Sequence, residues 1–104
     1  MMIELEEDNL KEIVDGNELV MVQYGATWCG NCKITKPKFK RLATENEHVK
    51  FVYVDAEKLP ESRGMADVKN LPTFAGFRNG ELINSVAGNK PSIITDLLNE
   101  VTNN

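Results

Sequence analysis

The segment Leu19-Val20-Met21-Val22-Gln23-Tyr24 restricts the architecture more than any other. Only Gln23 interrupts its apolar run, so both faces of the segment must be buried, as in a central parallel strand rather than an edge strand with one wet face. Such a strand needs helices on both sides of its sheet, and the flanking sequence supplies them. Ahead of it, Asp8 is placed to cap a short helix in which Leu10, Ile13 and Val14 recur at helical spacing and which Gly16 ends. Behind it, a helix is predicted from about Cys29 to Asn46. It turns Phe39, Leu42 and Ala43 inward and its lysines outward, and Pro37 in its interior removes a backbone donor and should kink it.

Val49-Lys50-Phe51-Val52-Tyr53-Val54 reads as a second strand closed by Asp55. Pro60 stands where a short helix can begin, and Gly64 interrupts it. Thr73–Phe77 and Leu82–Val86 flank Asn79-Gly80, a dipeptide whose backbone preferences suit the tight turn of an antiparallel hairpin. Ile93, Ile94, Leu97, Leu98 and Val101 form one face of a final helix beginning near Pro91, with Gly88 marking the turn before it. The predicted order is helix, strand, helix, strand, short helix, hairpin, helix. That is an α/β chain with a central mixed sheet and helices on both faces. At 104 residues and 41% hydrophobic, residues 1–104 suffice for one domain with a real core.

Both cysteines of the chain lie at the carboxyl end of the first strand, in Trp28-Cys29-Gly30-Asn31-Cys32-Lys33. In an α/β sheet, sites gather at that edge. A spacing of three puts Cys29 on the first turn of the following helix and Cys32 one turn on, along the same face, where the sulfurs can reach disulfide distance without backbone movement. Free N–H groups and the positive end of the helix dipole stabilise an anion at Cys29, and the thiolate is the form that attacks disulfides. The same spacing also supplies half of a zinc or iron-sulfur site, or a pair packed inertly. The missing half of a metal site favours redox chemistry. The only histidine, His48, lies about 16 residues beyond Cys32, roughly 24 Å along a helix axis, and no third cysteine exists.

A formal charge of -4 and a pI near 5.0, with no basic block, argue against nucleic acid as a partner. Lys33, Lys36, Lys38, Lys40 and Arg41 make one positive helix face, for which solvation is the simplest role. The acidic run Met1–Asp8 lacks the features of a signal peptide, and no stretch approaches the roughly 20 apolar residues that span a bilayer. No membrane association is expected, and a lone dithiol fits a reducing cytoplasm.

Trp28-Cys29-Gly30-Asn31-Cys32-Lys33, Pro37, Leu71-Pro72-Thr73-Phe74, Phe77-Arg78-Asn79-Gly80-Glu81 and Gly88 follow the order and spacing of the thioredoxin family. The chain resembles that family over nearly its whole length. The resemblance implies the thioredoxin fold and a monomeric protein-disulfide reductase that needs no bound cofactor. It would take part in cell redox homeostasis and electron transfer. Cys29 would be the attacking thiol and Cys32 the resolving thiol. Pro72 would follow a cis bond that turns the chain toward the sulfurs. Trp28, Gly30, Asn31, Leu71, Pro72, Ala87 and Gly88 would form the surface on which a disulfide-containing protein lies extended and pairs with backbone near Leu71. Regeneration would fall to an NADPH-dependent thioredoxin reductase.

Three positions depart from the family pattern. Asn31 stands where proline is common and keeps a backbone N–H near the thiolate, which favours the reduced state and predicts a somewhat more oxidising couple. Gln23 occupies the place of the family's buried carboxylate, and Phe51 that of its lysine partner. A neutral amide cannot take a proton from Cys32, so Gln23 either tunes the site or satisfies nearby backbone groups. Gly25 replaces a bulky aromatic and predicts a looser or wider site. Lys33, nearest the chemistry, is expected to favour the Cys29 thiolate modestly. These departures leave room for a more oxidising exchange protein or isomerase. A binding module that presents Trp28 and Pro72 to a partner, with the cysteines secondary, is a further alternative.

Overall fold

The computed structural model describes residues 1–103 and places nine elements along them. They are β1 (Met2–Glu4), α1 (Leu10–Gly16), β2 (Leu19–Gly25), α2 (Gly30–Glu45), β3 (Lys50–Asp55), α3 (Pro60–Arg63), β4 (Thr73–Arg78), β5 (Glu81–Ala87) and α4 (Pro91–Thr102). The five strands form one sheet in the order β1-β3-β2-β4-β5, with β2 at its centre as its apolar sequence requires. β1 and β2 run parallel to β3, whereas β4 is antiparallel to both β2 and β5.

Alternation along β2 divides the core in two. Val20, Val22 and Tyr24 point to one face, where Leu10 and Val14 of α1 cover them together with Leu59 and Val68. Met21 points to the other, into a cluster with Phe39, Leu42 and Ala43 of α2 and Ile94, Leu97, Leu98 and Val101 of α4. Phe39 contacts Phe51 edge-on at 5.0 Å between ring centres, tying α2 to β3. The hairpin forms at Asn79-Gly80, whose φ angles of 51° and 84° are both positive, as the tight turn demands.

β1 is absent from the sequence-based order. At three residues it is too short for periodicity to reveal, and it exists because Met2, Ile3 and Glu4 pair with Phe51, Val52 and Tyr53. Asp8 also differs from expectation. The residue preceding α1 is Asn9, which makes no side-chain cap bond. Asp8 instead accepts hydrogen bonds from the backbone N–H groups of Glu61 (2.9 Å) and Ser62 (2.7 Å), capping α3. The buried Ser62 hydroxyl in turn accepts from the Leu10 N–H at 3.2 Å, so the segment leading into α1 and the start of α3 satisfy each other's free donors.

Desolvation at this junction raises the Asp8 pKa, but the Ser62 hydroxyl and the two backbone donors outweigh it and hold the carboxyl below its ordinary 3.8. A depressed folded-state pKa contributes stability that is complete above the unfolded value and is lost as pH falls through the folded one. Asp8→Asn is therefore expected to melt below the wild type at pH 7. The gap should shrink as pH drops below about 4. A gap in thermal midpoints that holds constant down to pH 2 would show that the carboxylate charge is not what matters.

Candidate active site

Cys29 is the N-cap of α2 rather than a member of its first turn, with φ -86° and ψ 105°. That position aims its sulfur at the free donors of the helix, and Sγ accepts from the Cys32 N–H at 3.2 Å. Cys29 and Cys32 are joined as a disulfide, with Cα atoms 5.3 Å apart, inside the ordinary range for such a bond. Both are buried, packed with Ala26 and partly covered by Leu71. The arrangement can store two electrons as a dithiol, release them as a disulfide, and stabilise a thiolate at Cys29.

Trp28 stands 66% exposed beside the disulfide, and Ile34, 68% exposed, adds a second apolar side chain to this end of α2. Sequence reasoning missed Ile34, because an outward position on a lysine-rich helix carries no periodic signal. A Cβ added at Gly30 would meet nothing within 4 Å, so the space this glycine leaves faces outward, toward an approaching molecule.

On the other side of the disulfide, Asn31, Asn70, Leu71, Pro72, Ala87, Gly88 and Asn89 line a groove of about 330 Å³. The Leu71–Pro72 peptide is cis. The Gly88 N–H donates to the Pro72 carbonyl at 3.1 Å, and Asn89 Nδ2 donates to Asn31 Oδ1 at 3.3 Å across the groove. The structure thus brings Asn31, Leu71, Pro72, Ala87 and Gly88 into one groove beside Cys29 and Cys32. Lys33 falls elsewhere. It lines a separate cleft of about 680 Å³ with Glu4, Glu6, Lys36, Tyr53, Asp55 and Lys58. His48 is exposed, and among the described residues no three His, Cys, Asp or Glu side chains converge as metal ligands.

Gln23 lies under the pair with no exposed surface. Its Nε2 donates to the Cys32 carbonyl (3.1 Å) and to Thr35 Oγ1 (3.0 Å), which locks the start of α2 onto the central strand. Its Oε1 has no hydrogen-bond partner among the described residues. Gly25 does not widen the site as expected. A Cβ there would overlap the Tyr53 hydroxyl and lie 2.8 Å from its Cζ and 3.2 Å from Cys32 Cβ, so the Tyr53 side chain fills the room that the glycine leaves. Lys36 holds that ring from above, with Nζ 4.2 Å from its centre, while pairing with Glu4. Burial, then the charges of Asp55 and Glu4, push the Tyr53 pKa up, so the phenol stays neutral at physiological pH. Tyr53 was not legible as a site residue, since only the pairing of β2 with β3 brings it opposite Gln23.

Two sulfurs that can be joined or parted without moving the backbone, one of them seated at a helix N-terminus, place this molecule among the thiol–disulfide oxidoreductases. The family model for thioredoxin matches residues 1–100, and the chain belongs to the thioredoxin family. It is 38% identical over 82 residues to thioredoxin-1 of Schizosaccharomyces pombe, covering 79% of this chain and 80% of that protein. It is 33% identical over 93 residues to the thioredoxin of Oryctolagus cuniculus, covering 88% and 89%. Among solved structures, reduced thioredoxin pre-protein of Schistosoma mansoni superposes with a TM-score of 0.87 at 35% identity, over 96% of this chain and 97% of that one. Fasciola hepatica thioredoxin superposes with a TM-score of 0.89 at 26% identity, over 97% of this chain and 100% of that one. The protein has the thioredoxin fold and is a dithiol/disulfide reductase of the thioredoxin type. No helix among the described residues is long and apolar enough to cross a membrane.

Proposed function

We propose that Cys29 is the attacking thiol and Cys32 the resolving thiol in the reduction of disulfides of other proteins. The observation that carries this assignment is the N-cap seat of Cys29, whose sulfur takes a backbone N–H while Cys32 is buried behind it. The Cys29 thiolate attacks one sulfur of a substrate disulfide and expels the other as a thiolate that takes a proton from water. Cys32 then loses its proton and attacks Cys29 Sγ, forming the Cys29–Cys32 disulfide and releasing the second substrate thiol. Two electrons pass to the substrate, and a reductase drawing on NADPH returns them.

Trp28 and Gly30 on one side, with Leu71, Pro72, Ala87 and Gly88 on the other, bound the surface on which an extended segment of the substrate docks. Asn31 keeps a donor between the cysteines and sets the couple somewhat more oxidising than a proline would. The reading is completed by one domain over residues 1–104, acting as a monomer in the cytoplasm. The protein is expected to accelerate reduction of insulin disulfides by dithiothreitol, and Cys32→Ser is expected to hold captured proteins in bonds that excess thiol releases. Insulin reduction no faster than with dithiothreitol alone would refute the assignment.

A further inference from the structure

Resolution requires Cys32 to lose a proton in a place without a carboxylate. Cys32 is fully buried, and Gln23, whose amide donates to the Cys32 carbonyl, cannot act as a base near neutral pH. An ordinary thiol is only about 3% ionised at pH 7, and burial away from charge lowers that fraction. The proton therefore needs a carrier between the sulfur and water.

The geometry points to Tyr53 as that carrier: its hydroxyl, seated in the gap at Gly25, relays the Cys32 proton to water in the cleft beside α2. Three observations converge on it. The Tyr53 hydroxyl occupies the space a side chain at Gly25 would take, and the Cys32 Cβ borders the same space at 3.2 Å, so the two residues approach each other over the glycine. Tyr53 also lines the 680 Å³ cleft, which opens to solvent between β1 and α2. Finally, the ring is held in place by the Lys36 ammonium over its face, and no hydrogen bond within the protein ties up its hydroxyl among the described residues.

A neutral phenol suits the task because it accepts one proton while donating another and carries no net charge afterwards. The step requires that, once the disulfide opens, the Cys32 side chain turns its S–H to the hydroxyl. The proton on sulfur passes to the Tyr53 oxygen as the phenolic proton passes to a cleft water. The thiolate left behind attacks Cys29 Sγ and displaces the substrate sulfur. The charged groups facing Tyr53 are Glu4 of β1, Glu6 beyond it, Lys33 and Lys36 of α2, and Asp55 and Lys58 after β3. Of these, Asp55 and Glu4 act on the phenol, and their charges favour its neutral form, the form the relay uses.

This inference rests on Cys32 being the resolving thiol, and the test separates the two. In stopped flow, the fully reduced protein mixed with 5,5′-dithiobis(2-nitrobenzoate) releases one coloured thiolate when Cys29 attacks and a second when Cys32 resolves the adduct. Tyr53→Phe keeps the ring and removes only the hydroxyl. It is expected to leave the first phase unchanged and slow the second at least about tenfold at pH 7. Its second phase should also climb about tenfold per pH unit between 6 and 8, as unassisted thiol ionisation does, while the wild type climbs less steeply. A second phase within twofold of wild type, with the same pH profile, would overturn the relay. If Cys29→Ser releases its single equivalent as fast as the wild type's first phase and Cys32→Ser does not, Cys32 is the attacking thiol and its assignment as the resolving one fails instead.

Discussion

Cys29→Ser is expected to lower catalysed disulfide reduction by at least about a thousandfold, leaving the protein folded. Serine is isosteric and is a better N-cap than cysteine, so its Oγ can take over the Cys32 N–H that Sγ now accepts at 3.2 Å. What disappears is chemical. The N-terminus of α2 can stabilise a thiolate because a thiol's ordinary pKa near 8.5 lies within reach, whereas a hydroxyl stays protonated. Cys32 does not substitute for it, being fully buried and lying behind Cys29. Insulin reduction followed by turbidity, with far-ultraviolet circular dichroism as the control for folding, measures the effect. Retention of activity in Cys29→Ser together with its loss in Cys32→Ser would reverse the two roles.

Gly76→Val is expected to destabilise the fold by about 3 kcal/mol, lowering the thermal midpoint by roughly 12–24 °C. Gly76 lies on β4 where α4 crosses the sheet, and a Cβ there would overlap Val101 Cγ2 and sit 3.5 Å from both Leu97 Cδ1 and Met21 Sδ. α4 also carries Ile94 and Leu98 into the same cluster, so it cannot retreat from one clash without opening gaps beside the others. Val101→Ala in the Gly76→Ala background should recover part of the loss that Gly76→Ala alone produces, because the two positions share one space. Additive losses would show that the damage at Gly76 comes from its own backbone instead. Gly16→Ala, where nothing lies within 4 Å, is the reference substitution in thermal or urea melts.

What was legible in the sequence follows from the range over which each signal acts. β2 announced itself by an apolar run, α4 by helical periodicity and the hairpin by Asn79-Gly80, all of them local patterns. β1 was not legible, since three residues define no period and its reason for existing is a partner near residue 52. Asp8 was assigned to the helix nearest in sequence, but the donors it satisfies lie 53 and 54 residues on. The candidate site divides in the same way. The cysteine pair, Trp28 and Pro72 stood out in linear motifs. Gly25 looked like a gap because its filler, Tyr53, comes from the neighbouring strand, and only strand register could reveal it.

The contacts of β1 and α1 set an order of events during synthesis. Among the described residues, β1 pairs with β3 alone, and the Leu10 N–H finds its acceptor at Ser62. α1 can pack on Val20 and Val22 of β2 as soon as they emerge, but β1 stays unpaired until residues 51–53 are made and the Leu10 N–H stays unmatched until Ser62 is. Acidic residues such as Glu4, Glu6 and Glu7 keep that waiting stretch hydrated and unattractive to other nascent chains.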